Sequence, residues 1–130
     1  MSETNLTGKW TGQYSDGGLA RPPVPFEASV IDTAGALGGS ITERATSAPA
    51  PGTPLFAVIS GTRDGKRVRF TKTYESNYPG YGRVQYSGRL NADDTEIEGR
   101  WRILFFSGKF LMVRAAGRAV EVARAIEVVG

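Results

Sequence analysis

Lys72, Tyr74 and Glu43 are the residues whose types and positions could do chemistry. In the stretch VRFTKTY, Val68, Phe70, Lys72 and Tyr74 share one strand parity, so an ammonium is expected on an otherwise apolar face. Glu43 shares a parity with Leu37, Gly39 and Ile41 on another stretch. An unpaired buried ammonium is costly, so Lys72 needs a carboxylate, a ligand or water beside it, and Glu43 is the candidate carboxylate. Two roles stay open for the pair. It anchors an acidic or carbonyl-bearing ligand, or Lys72 reaches solvent at a strand end and pairs with Glu43 for stability alone. As a catalytic set, Lys72, Tyr74 and Glu43 could isomerise or dehydrate a carbonyl compound through a lysine Schiff base or a proton relay. The chain has no histidine and no cysteine, which removes Ser-His and Cys-His nucleophile pairs, imidazole zinc sites and the ordinary proximal haem ligand. Binding rather than catalysis is therefore the expectation, with no cofactor and no metal.

Eight windows with a two-residue period must position these side chains: Thr7 to Tyr14, Phe26 to Asp32, Ala36 to Arg44, Leu55 to Gly61, Lys66 to Tyr74, Arg83 to Leu90, Thr95 to Ile103 and Gly108 to Arg114. Their connections alternate in character. Those after the second, fourth and sixth windows are short turns, with Asp64-Gly65 a hairpin signal, whereas SDGGLARPPV, ATSAPAPGTP and ESNYPGYG follow the first, third and fifth. In an up-and-down meander all the long loops then fall at one end. That asymmetry predicts an all-β, eight-stranded antiparallel up-and-down barrel with a single mouth, and glycines 12, 39, 88 and 99 supply the sharp bends that closure needs.

A chain of 130 residues is expected to be one domain, with the barrel over about 7–115. Residues 117–129, GRAVEVARAIEVV, fit a helix with Ala119, Val122, Ala123, Ile126 and Val129 in a stripe, but Val120, Val122, Ile126 and Val128 also share a strand parity. The helix is the expectation, covering the outer wall. MSETNLTGKW lacks the basic and then apolar run of a signal peptide, and no apolar stretch is long enough to cross a bilayer, so a cytoplasmic protein without a membrane partner is expected. The net charge of +3 is too small to require an anionic polymer. Arg67, Arg69, Arg83, Arg89, Arg100 and Arg102 share the outward parity, but Glu96 and Glu98 interrupt them and the aromatic residues face inward, so no nucleic acid is expected.

Gly8-Lys9-Trp10 on the first strand and Arg114 at the end of the eighth resemble the signature of the calycins, the lipocalin, fatty-acid-binding protein and avidin barrels. In that superfamily a Gly-x-Trp packs its indole against a basic residue of the last strand and closes the blind end. The resemblance covers about residues 7–115, and the lidless avidin-like and lipocalin-like barrels are nearest in outline. No lipocalin cysteine pair and no room for a helical lid are present, and biotin-contacting residues do not match one by one. The resemblance implies Trp10 and Arg114 as barrel closure. Inward parity gives Tyr14, Glu43, Phe70, Lys72, Tyr74, Tyr86 and Trp101 as the ligand-binding set for a small hydrophobic or amphipathic ligand. The alternative is a filled barrel without ligand that acts as a structural or oligomerisation module. Phe56, Val58, Leu111 and Val113, on the opposite parity, would then meet the terminal helix or a second copy in a homo-oligomer.

Overall fold

A computed structural model of the chain describes residues 4–16, 22–46, 50–75 and 82–115. They contain eight strands: β1 (Gly8–Ser15), β2 (Val24–Thr33), β3 (Ala36–Arg44), β4 (Pro54–Asp64), β5 (Arg67–Tyr74), β6 (Arg83–Leu90), β7 (Glu96–Ile103) and β8 (Phe106–Arg114). Each pairs antiparallel with the next, and β8 returns to β1, giving a closed barrel. Closure leaves no sheet edge to pair with another chain. The alternation visible in sequence becomes inside and outside: β6 runs exposed and buried by turns, with Val84, Tyr86, Gly88 and Leu90 inward.

Pairing carries several strands past their expected ends. In β4 it continues to Asp64, opposite Arg67, which leaves Gly65 and Lys66 as a two-residue turn with Gly65 at φ +62°. Likewise Ile103 pairs with Phe106, so β8 begins two residues before Gly108 and only Leu104 and Phe105 make the turn. Residues 117–129, expected as a helix, lie outside the described residues, as do Tyr78 and Tyr81 of YPGYG, which the sequence offers either as an aromatic flap over the mouth or as cover for apolar rim. Among the described residues no helix is long and apolar enough to cross a membrane.

The core is the barrel axis. Trp10, Phe26, Ile41, Ile59, Val68, Phe70, Tyr86, Ile97, Phe110 and Met112 are buried in one cluster. At Gly12 the Phe26 ring lies where a side chain would go, its Cζ 2.3 Å from the place a Cβ would take. The strand therefore admits the ring because it has no side chain there.

The end with the short turns is sealed. Trp10 is completely buried, donates its indole N–H to the Leu6 carbonyl at 2.9 Å, and lies under the Arg114 guanidinium, 4.6 Å from ring centre to Cζ. Leu6 itself plugs the opening, held by its amide to Asp32 Oδ2 at 2.9 Å. Asp32 also accepts from the Gly35 amide at 2.8 Å and from Arg63 Nε at 2.7 Å. Burial opposes ionisation of Asp32, but the Arg63 hydrogen bond and the two amides outweigh it and hold the carboxyl below its ordinary value. A carboxyl with a lowered folded pKa contributes stability that is complete above the unfolded value of about 4 and is lost as pH falls through the folded value. Asp32→Ala is thus expected to cost about 3 kcal/mol at neutral pH, since three donors lose a charged acceptor. Urea midpoints at a series of pH values check this: the gap between wild type and variant should close in acid.

Candidate functional site

At the opposite end, four strands bring together a buried charge pair. Lys72 from β5 is wholly buried and its Nζ donates to Glu43 Oε1, from β3, at 2.6 Å. Glu43 is also buried, and its Oε2 accepts from the Tyr14 hydroxyl of β1 at 2.7 Å and from the Tyr74 hydroxyl of β5 at 3.0 Å. Lys72 Nζ makes a second, longer bond to the Tyr86 hydroxyl of β6 at 3.3 Å. The ammonium lies 4.6 Å from the Tyr74 ring centre, 4.8 Å from Tyr14, 5.6 Å from Tyr86 and 5.8 Å from Phe26, so it sits in an aromatic cage built by the chain itself.

Register explains the meeting. Glu43 faces Phe26 across β2–β3, while Tyr74 faces Ala57 and Lys72 faces Ile59 across β4–β5. Across β3–β4 Glu43 faces Leu55 and Ala57 faces Ile41, so Tyr74 reaches Glu43 diagonally over β4. Beneath them Phe70 stacks on Tyr86, centroids 4.7 Å apart at 8°, and Phe110 meets both rings edge-on. These rings are a packed floor.

Burial dominates the shifts in this cluster. Burial pulls the Lys72 ammonium below the ordinary lysine value, and Glu43 pulls it back only in part. Burial also pushes the Tyr14, Tyr74 and Tyr86 phenols well above their ordinary value, and the Glu43 charge adds to the rise. All three tyrosines therefore stay neutral at any physiological pH, Tyr14 and Tyr74 donating to Glu43 and Tyr86 accepting from Lys72. Every buried side-chain nitrogen and oxygen among the described residues has a hydrogen-bond partner.

Above this cluster an open depression of about 1240 Å³ spans the rim of β1 to β4. Its inner boundary is Tyr14, Phe26, Glu43 and Trp101, its crest includes Val24, Arg44 and Ala45, and it reaches the outer wall along the register row Thr11, Glu27, Thr42 and Phe56. Trp101 is fixed by its indole N–H to the Ser15 carbonyl at 2.8 Å and meets Tyr14 edge-on at 6.3 Å. Of the seven side chains expected to bind ligand, Tyr14, Glu43 and Trp101 line the depression. Phe70, Lys72 and Tyr86 lie beneath it, and Tyr74 closes the cluster from β5. Phe26 and Arg44 line it without having been singled out from sequence. Phe26 shares the inward parity of Ala28 and Val30 at the mouth end of its strand, a signal that was present. Arg44 is outward by parity and reaches the rim only because β3 ends there. Its Nη1 donates to the Gly52 carbonyl at 2.9 Å. Among the described residues no group of three or more His, Cys, Asp or Glu side chains is arranged to hold a metal ion.

No protein-family profile matches the chain, and no curated protein shows a significant match. Among solved structures, a redesigned beta barrel superposes with a TM-score of 0.66 at 14% sequence identity, over 84% of this chain and 90% of that one. At that identity the likeness is one of fold, the closed β-barrel.

Proposed function

We propose that this barrel is a calycin-like small-molecule-binding protein whose ligand sits in the mouth, on Tyr14, Phe26 and Trp101, with an acidic or carbonyl group reaching Arg44. The rim depression carries this reading: it combines aromatic walls with the Arg44 guanidinium, which among the described residues spends one N–H, on the Gly52 carbonyl. The blind end sealed by Trp10 and Arg114 supports the calycin comparison in geometry. Lys72 is a poor anchor in this arrangement. Its charge is already spent on Glu43, and no part of it is exposed. The same burial argues against a lysine Schiff base, because a carbonyl substrate would have to displace Glu43 and two tyrosines to reach Nζ.

A second reading has its own observation. The fully satisfied Lys72, Glu43 and tyrosine cluster over a packed floor is what a filled barrel needs, with the pair fixing strand register and no ligand inside. Anilinonaphthalene sulfonate, an apolar ring system with one acidic group, separates the two. Saturable binding that Arg44→Gln weakens about tenfold, the loss of one charged hydrogen bond, favours the cup. Absence of saturable binding, or binding indifferent to both Arg44→Gln and Phe26→Ala, leaves the filled barrel. Native mass spectrometry of protein from its own host would then identify a natural occupant.

A further inference from the structure

The turn between β7 and β8 exposes three large apolar side chains in succession: Leu104 is 83% exposed, Phe105 98% and Phe106 69%. Leu104 adopts φ +49° there. Glycine takes that left-handed conformation freely and leucine does not, so both the backbone and the solvation of this tip are unfavourable in an isolated barrel. Neither cost serves the core, which ends at the half-buried Ile103. Cations lie on the outer wall of β6 to β8 below the tip. Arg102 lies two residues before Leu104 on the outer face, about 7 Å along the strand, with Arg100 and its register partner Lys109 one step further. On the neighbouring strand Arg83 stands two residues above Gln85, the partner of Arg102. None of these four is in an ion pair among the described residues. The next outward residue below Arg100 on β7 is the acid Glu98, which lines a surface depression with Arg100 and Lys109.

We infer that the β7–β8 tip docks the barrel on an anionic lipid bilayer, with Leu104, Phe105 and Phe106 entering the headgroup boundary and Arg83, Arg100, Arg102 and Lys109 facing its negative surface. Lying on a membrane and spanning it are different physical states, and the chain's lack of a spanning stretch bears only on the second. The apolar tip supplies burial, and the arginines, within about one Debye length of the surface, supply attraction that salt screens. A single-stranded nucleic acid would use the cations and stack on Phe105 and Phe106 but gives the aliphatic Leu104 no partner. An uncharged protein groove would use the tip but not the cations. An anionic lipid surface uses the cations and all three apolar side chains. The inference is independent of what the mouth binds.

Co-sedimentation with phosphatidylcholine vesicles, with and without phosphatidylserine, tests it. The whole chain should pellet with phosphatidylserine vesicles and less so as salt rises. The triple variant Leu104→Gly/Phe105→Ser/Phe106→Ser should bind at least tenfold more weakly while its circular dichroism is unchanged, since all three side chains are exposed. Arg100→Gln and Arg102→Gln should each weaken binding about fivefold. Three results would overturn the inference: no pelleting with either vesicle; pelleting untouched by the triple variant, which is adsorption by charge alone; or self-association in sedimentation velocity that the triple variant abolishes and vesicles do not compete with, which assigns the tip to a second copy of the chain.

Discussion

Lys72→Met is expected to destabilise the barrel by about 3–5 kcal/mol, and adding Glu43→Gln is expected to recover most of the loss. Methionine fills the space of the lysine stem, so little packing is lost. What remains is the Glu43 carboxylate, its side chain 1% exposed, facing two phenols and no cation. That charge can neither be solvated nor fully satisfied by two hydrogen bonds. Replacing it with an amide removes the charge and keeps an oxygen to accept from Tyr14 and Tyr74. The pH dependence has a definite sign. Because burial lowers the folded pKa of Lys72, the unfolded chain binds more protons between that value and the ordinary lysine value of about 10.4, so stability contributed by this group rises with pH in that window. The tyrosines act oppositely: their folded pKa values are raised, so above about pH 10 the unfolded chain loses phenolic protons that the folded chain keeps, and stability falls. Urea midpoints of wild type should thus climb as pH rises toward 10 and then decline. Lys72→Met should lose the climb and keep the decline. A single variant as stable as wild type would mean that the ammonium does not neutralise Glu43.

Parity made much of this legible. A strand has a period of two, and a closed barrel turns that period directly into inside and outside, so Lys72 and Glu43 could be assigned to the interior from their neighbours alone. Their meeting could not be read with the same ease, because it depends on the stagger between β3, β4 and β5, which is a property of pairing rather than of any one strand. Loop lengths told which end is open. They marked the connection between the seventh and eighth strands as a short exception around Phe106, Ser107 and Gly108, but the pairing of Ile103 with Phe106 moves the turn to Leu104 and Phe105, which are among the last types one would place in a tight turn. The rim depression was hidden for another reason. It crosses from the inner face at Phe26 to the outer face at Phe56, and parity treats those faces as separate worlds.

Gly39→Ala is expected to cost more than about 4 kcal/mol and to prevent stable folding, whereas Gly65→Ala should cost about 1 kcal/mol. Both glycines have positive φ, +135° and +62°, so both substitutions strain the backbone. They differ in what the new methyl meets. At Gly65 nothing lies within 4 Å, but at Gly39 the Cβ would fall 1.9 Å from the Ser29 carbonyl oxygen and 3.1 Å from Val30 Cα. These are backbone atoms of the paired strand and cannot rotate away. Gly39 pairs with Val30 on one side and Ile59 on the other, so the collision forces β2 and β3 apart in the middle of the wall. The bend at Gly39 also aims the rest of β3, which carries Ile41 and then Glu43 to its place against Lys72. Losing it separates the buried charges as well as the strands, and each effect aggravates the other. Thermal melts of the two variants followed by circular dichroism check the contrast. Equal costs would mean that backbone strain alone, and not the close approach of β2, is what makes glycine necessary at this position.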